Sequence, residues 1–211
     1  MMEQALRYPL FENPEQYMEF RKGKFIFGFF KNWFQNRAID KCLKGLDDVR
    51  TVCDIPCGPG WLFPYWHKNG YGVIGADLSH PMVEAGKKMH RQLGLEGRVM
   101  KCNAFTLGDS LKENEVDLVV SVRFLYYFKR NKRIELLKTM AEVSRKYLLV
   151  QYKTTETRKG RQKGKHPFSG KYFCSNEEIL EELKAADLDC ITIVPISQAS
   201  DRAFVMARNR K

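Results

Sequence analysis

Val-Arg-Thr-Val-Cys-Asp-Ile-Pro-Cys-Gly-Pro-Gly-Trp-Leu-Phe-Pro-Tyr, from Val49 to Tyr65, is the stretch from which the rest of the chain can be read. Its first half, Val49 to Ile55, is apolar and β-rich, the pattern of a buried strand. Gly58 and Gly60 then mark a tight turn, and an aromatic run able to start a helix follows. A strand that turns through glycines into a helix lets a ligand approach bare backbone and meet a helix N-terminus. Asp54 stands just before the turn, where a carboxylate can hold a cationic or hydroxyl group of that ligand. From Gly72 a second short apolar strand ends in Asp77, with Ser79 placed to cap the next helix. Asp77 follows Gly60 by 17 residues, close to the spacing of the acidic residue that accepts ribose hydroxyls in dinucleotide-type sites. The three-glycine dinucleotide fingerprint is incomplete, because Phe63 stands where its last glycine would fall. Such a turn cradles a pyrophosphate poorly. It suits a nucleoside ligand without phosphates better, and it argues against a nicotinamide-dependent oxidoreductase.

Asp-Ile-Pro-Cys-Gly-Pro-Gly (54–60), then Val-Ile-Gly-Ala-Asp-Leu-Ser-His-Pro-Met-Val (73–83), resemble motifs I and II of class I S-adenosylmethionine-dependent methyltransferases. Asn103-Ala104-Phe105 stands at motif III, where the family more often has Asp-Ala. Glu115-Val-Asp-Leu-Val-Val-Ser-Val-Arg123 resembles motif IV at the end of a fourth strand. The resemblance covers roughly Val49 to the C-terminus. It implies a Rossmann-like α/β fold: a seven-stranded, mostly parallel sheet with a C-terminal antiparallel hairpin strand and helices on both faces. It also implies S-adenosyl-L-methionine as cofactor, held by Asp54, Pro56, Cys57, Gly58 and Gly60 of motif I, Asp77 and Leu78 of motif II, and Met82 beside the adenine. Asn103 and Ala104, then Ser121 and Val122, complete that set. Asn103 both donates and accepts, so it serves an adenine edge without the family's charge.

A length of 211 residues, with 44% hydrophobic content, is one domain's worth of soluble chain. Residues 1–46 read as an N-terminal helical extension or lid and 47–211 as the methyltransferase domain, within a single structural domain. No apolar run reaches the length of a membrane span, and the N-terminus lacks a basic-then-apolar signal pattern. Six scattered cysteines show neither metal-ligand spacing nor disulfide pairing, so reduced thiols, no metal and a cytoplasmic location are expected. A net charge of +11 attracts anions: nucleic acid, anionic lipid or an acidic small substrate.

Residues 14–46 have helical periodicity, with Ile26, Phe30, Trp33, Phe34 and Ala38 on one face expected to cover the sheet edge or to meet an apolar substrate or lipid headgroups. Residues 106–115 read as loop, Val116 to Val122 as a central parallel strand, and Ser175 with Glu178 as a capping box. After the fourth strand, Arg123-Phe-Leu-Tyr-Tyr-Phe lies where loops of parallel sheets form the ligand crevice, so Tyr126 and Tyr127 are candidates for binding the acceptor or taking its proton. Residues 153–172 are basic and nearly free of apolar side chains, and read as a disordered loop on the same side. That loop contains His166, a third candidate base, and offers a clamp for an anionic substrate, a membrane surface or RNA phosphate. No Asn-Pro-Pro-Tyr or Asp-Pro-Pro-Tyr follows strand four, which disfavours amino methylation, and no cysteine pair suits pyrimidine C5 methylation. O-methylation of a small or lipid-like acceptor carrying an anionic group is therefore the expected reaction. RNA or protein methylation is the second reading, and a non-catalytic scaffold or activator with this fold is the third.

Overall fold

The apolar runs around Cys53, Ile74, Val99, Val119 and Leu149 form the parallel heart of one sheet. The computed structural model describes residues 13–22, 25–164 and 170–210, apart from the side chains of 20–22, 25–29, 31 and 164. The strands are β1 (Thr51–Asp54), β2 (Gly72–Asp77), β3 (Gly97–Lys101), β4 (Val116–Ser121), β5 (Ser144–Thr154), β6 (Phe173–Cys174), β7 (Leu188–Pro195) and β8 (Arg202–Asn209). The helices are α1 (Pro14–Lys22), α2 (Phe25–Leu43), α3 (Phe63–Lys68), α4 (His80–Gln92), α5 (Arg130–Val143), α6 (Arg158–Gly164) and α7 (Asn176–Ala185). The sheet order is β3-β2-β1-β4-β5-β8-β7, and the short β6 pairs with β5 off that path. Only β8 runs antiparallel, to both β5 and β7. The fold is the Rossmann-like one expected, with one strand more than the seven anticipated.

Strand alternation sends Val52, Leu118, Val120, Leu149 and Phe204 to one face, under α2, α3 and α4. Cys53, Val119, Leu148, Val150 and Val205 go to the other face, under α5 and α7. Every residue of β4 is buried, as a strand covered on both faces requires. Ser175 and Glu178 form the expected capping box at the start of α7.

Three expectations need correction. The aromatic face of α2 is not its packing face: Phe30, Trp33 and Phe34 are exposed, while Gln35, Ala38, Ile39, Cys42 and Leu43 pack inward. The stripe that the sheet recruits thus lies on nearly the opposite side of the helix from the exposed aromatic one, and both have helical spacing. Residues 106–115 are not all loop, because a 3-10 helix covers Ala104–Asp109. The basic segment after β5 is not structureless: it contains α6, tied down where Thr157 donates to Ser200 O at 2.6 Å and Arg158 N–H to Gln198 at 3.2 Å. The N-terminal arm 1–12, the side chain of Ile26 and His166 lie outside the described residues. Among the described residues, no helix is long and apolar enough to cross a membrane.

Phe63, which breaks the glycine fingerprint, is fully buried, and its ring fills the space left by two other glycines. A Cβ at Gly75 would lie 2.6 Å from Phe63 Cζ and 3.2 Å from Cys57 Sγ. Close strand–helix approach is therefore kept, with the small residue moved from the helix to β2. Gly75→Ala is expected to lower the unfolding free energy by about 1–3 kcal/mol, the usual overpacking cost. Urea titration reads this directly, and an unchanged midpoint would show that the ring swings aside freely.

Candidate active site

The strand order reverses between β1 and β4, which opens a crevice beyond their carboxyl ends. The turn after β1 is pinned on both sides. Ile55 N–H donates to Val120 O at 2.9 Å, and Cys57 N–H to Ala76 O at 2.8 Å. Gly58 and Gly60 have φ of +56° and +82°, the left-handed region that favours glycine. At Gly60 a side chain would in addition meet the Phe63 ring at 2.5 Å.

Asp77 organises this turn. Its Oδ2 accepts the Gly58 N–H at 2.8 Å and its Oδ1 accepts the Ser79 N–H at 2.9 Å. Ser79 does sit at the N-cap of α4, but its own hydroxyl makes no capping bond. Asp54, the last residue of β1, is only 2% exposed. Burial, reinforced by the nearby Asp77 carboxylate, pushes its pKa up to about 8. The Trp66 indole N–H offsets part of the shift, though it forms no hydrogen bond of standard geometry. Asp77 is raised in the same direction, chiefly by desolvation. Two adjacent buried carboxyls with raised affinity for protons form a site prepared for a cation.

The other residues expected to contact the cofactor stand at the carboxyl ends of β1 to β4 or in the segments that follow them. Pro56 follows a cis Ile55–Pro56 bond, and Cys57 is buried beside it. Leu78 is exposed at the rim, while Met82 is buried at the start of α4. Asn103 caps the 3-10 helix, its Oδ1 accepting the Phe105 N–H at 3.1 Å, with Ala104 buried next to it. Ser121, at the end of β4, is fully buried and its hydroxyl is unpartnered, with Val122 beyond it.

The loop after β4 folds into a 3-10 turn, Leu125–Tyr127. Tyr126 is buried and Tyr127 half-buried, their rings 4.9 Å apart. Phe124, Phe105 and Phe128 continue the aromatic wall, Phe128 lying 4.9 Å from Phe124 and 5.3 Å from Phe105 by ring centroid. Burial raises the Tyr126 pKa, so this phenol keeps its proton at neutral pH and acts as a hydrogen-bond donor rather than a base. Arg133 of α5 fixes the wall from behind: it donates to Phe128 O at 2.7 Å and to both Glu182 oxygens, at 2.9 and 2.5 Å.

Two residues that the sequence did not single out also reach the crevice. Tyr17 of α1 lies over the glycine turn, its Cε1 3.8 Å from a Cβ built on Gly58. Burial raises its pKa, with Arg123, Asp77, Asp54 and Cys57 as its electrostatic neighbours. Arg123, with φ of +62°, turns the chain out of β4, and its Nε is buried without a partner. Tyr17 had no local signal, because only tertiary packing brings α1 here. Arg123 stood within the motif IV resemblance, and its basic side chain at a strand end was the available clue. A separate cavity of about 430 Å³, among Lys138, Glu142, Asp187 and Arg210, lies at the opposite end of the sheet and shares nothing with this crevice.

Residues 52–147 match the family described as methyltransferase domain. No curated protein matches the chain in sequence. Among solved structures, it is similar to magnesium protoporphyrin IX methyltransferase from Synechocystis PCC 6803 with bound SAH, at 17% identity and a TM-score of 0.75, over 98% of this chain and 99% of that one. An S-adenosylmethionine-dependent methyltransferase from Clostridium acetobutylicum ATCC 824 matches at 14% identity and a TM-score of 0.67, over 85% and 92% of the two chains. Geranyl diphosphate methyltransferase, in complex with GPP and sinefungin, matches at 18% identity and 0.60, over 84% and 78%. The domain match over residues 52–147 and the shared architecture agree with the crevice at the switch point, and the chain has the fold of the class I S-adenosylmethionine-dependent methyltransferases.

Proposed function

We propose that the chain binds S-adenosylmethionine across the Asp54–Asp77 crevice and transfers its methyl group to an oxygen of a small, partly apolar acceptor bearing an anionic group. The observation that carries this reading is the pair of buried carboxyls set on either side of a left-handed glycine turn. Asp77 presents its remaining lone pairs to the ribose hydroxyls. Asp54 faces the cationic methionine end, and Cys57, Gly58 and Gly60 supply close backbone. Asn103, whose carboxamide oxygen is engaged by Phe105, offers its NH2 to the adenine ring nitrogens. Pro56, Leu78, Met82, Ala104, Ser121 and Val122 complete the contacts.

The cofactor carries its own leaving group. The protein's task is to hold the methyl carbon and the acceptor oxygen in line at short range, and that alignment removes much of the barrier. The aromatic wall 124–128 and Tyr17 enclose the position where the two meet. Tyr127, less buried than Tyr126, and His166 are the candidate proton acceptors. Two similar structures are named for small molecules, magnesium protoporphyrin IX and geranyl diphosphate, which supports an acceptor of that size over RNA or protein.

Asp77→Ala is expected to weaken S-adenosylmethionine binding by about 1–3 kcal/mol, because ribose hydroxyls and the Gly58 N–H lose their acceptor together. Calorimetry measures it, and unchanged affinity would place the sugar elsewhere. The acceptor is identified by incubating the protein with methyl-labelled cofactor and cell extract. Label in a small acidic compound as an ether or ester is the expected result. Label in RNA or in protein would contradict the acceptor class.

A further inference from the structure

Gln151 interrupts the apolar run of β5, and it is fully buried with both amide atoms unpartnered. Such a group costs free energy unless something arrives to satisfy it. Gln151 lies opposite Phe204 of β8, and Lys153 lies opposite Arg202. Period-two alternation puts Gln151, Lys153 and Arg202 on one face, at the carboxyl end of β5. Ser121 pairs with Val150, so the chain leaving β4 brings Arg123 alongside the same spot.

The charges there do not balance. One carboxylate, Asp201, pairs with Lys153, lies 3.7 Å from Lys163 Nζ and 3.6 Å from Arg202 Nε. Arg123 adds a further cation, and among the described residues it has no acidic partner. Burial, then the neighbouring Arg202, lowers its pKa, yet a guanidinium remains charged. Lys163 belongs to α6, so part of the basic segment also contributes to this cluster.

We propose that Arg123, Arg202 and Gln151 form an oxyanion subsite beside the methyl-transfer position, which holds a carboxylate or phosphate of the acceptor. This rests on the methyltransferase reading for its position, and it adds which residues choose the substrate. A planar guanidinium pair grips an oxyanion in two directions. The Gln151 NH2 donates the third bond, and the anion brings that NH2 the acceptor it lacks.

The test is calorimetric titration of protein saturated with S-adenosylhomocysteine, using benzoate, phenyl phosphate and benzamide as probes. One of the two anions is expected to saturate a single site, to weaken as sodium chloride rises, and to exceed benzamide clearly; whichever anion wins separates carboxylate from phosphate. Arg202→Gln and Gln151→Leu should each weaken that anion about tenfold, Arg202→Lys and Arg123→Lys should weaken it less, because the charge stays and the two-pronged geometry is lost, and S-adenosylhomocysteine affinity should stay within about twofold in the Arg202 and Gln151 variants. Absence of saturable anion binding to the wild type, or equal anion affinity in wild type, Arg202→Gln and Arg123→Lys, overturns the subsite. Failure of S-adenosylhomocysteine to bind would count against the cofactor reading instead, and the anion titration on ligand-free protein would still decide the subsite.

Discussion

Arg133→Ala is expected to lower the unfolding free energy by about 3–5 kcal/mol, the range for breaking a buried ion pair from one side. Arg133 and Glu182 are both buried, and Tyr152 OH donates to the same carboxylate at 3.0 Å. Removing the guanidinium leaves the Glu182 charge inside the α5–α7 packing with one neutral donor. It also frees Phe128 O, which Arg133 holds at the end of the aromatic wall. The functional consequence follows from that second bond: acceptor KM should rise while S-adenosylhomocysteine affinity changes little. Replacing both partners together, as Arg133→Met with Glu182→Leu, should recover most of the stability, because no charge is then left unpaired. Urea denaturation at constant m-value reads all three chains. A loss below about 1 kcal/mol in Arg133→Ala would mean that the pair contributes nothing net.

Asp54→Asn should act with opposite sign on the free and the bound protein. The folded-state pKa of Asp54, about 8, lies above the unfolded value of 3.8. A group shifted upward contributes its stability at low pH and loses it as pH rises through the folded pKa. The ligand-free wild type should therefore lose stability relative to Asp54→Asn across pH 4–8, by up to about 6 kcal/mol before the change levels above pH 8. Ligand-bound protein should show the reverse. S-adenosylmethionine affinity should fall by about 1.5–3 kcal/mol in the variant, since its cation loses the carboxylate it ionises. Wild-type binding at pH 7 should release a proton, visible as a dependence of calorimetric heat on buffer ionisation enthalpy. If Asp54→Asn only destabilises, and binds the cofactor normally, this carboxylate is a packing element and nothing more.

Much of this was legible in the sequence because it is local. The β1 turn, the placement of Asp77 and the full burial of β4 follow from glycine positions and apolar runs that neighbouring residues decide. The packing face of α2 is not legible in the sequence, because two stripes share one periodicity and only the sheet beneath chooses between them. The helix α6 was missed because its residues lack apolar spacing; its anchors, Ser200 and Gln198, arrive from the β7–β8 loop some forty positions away. Arg133 was invisible for a similar reason, as a charged residue in a helix whose partner Glu182 lies on another helix. Tyr17 reaches the glycine turn by packing alone. Gln151 did carry a signal, a lone amide inside Tyr147 to Tyr152, and its meaning appears only when the strand pairing sets Arg202 beside it.

A crystal structure with S-adenosylhomocysteine examines the cradle itself. The ribose hydroxyls should lie within hydrogen-bonding distance of the Asp77 carboxylate, with the amino acid end beside Asp54 and the Gly58–Gly60 backbone under the sulfur. A nucleoside seated elsewhere, with Asp77 still bound only to the Gly58 and Ser79 amides, would contradict it.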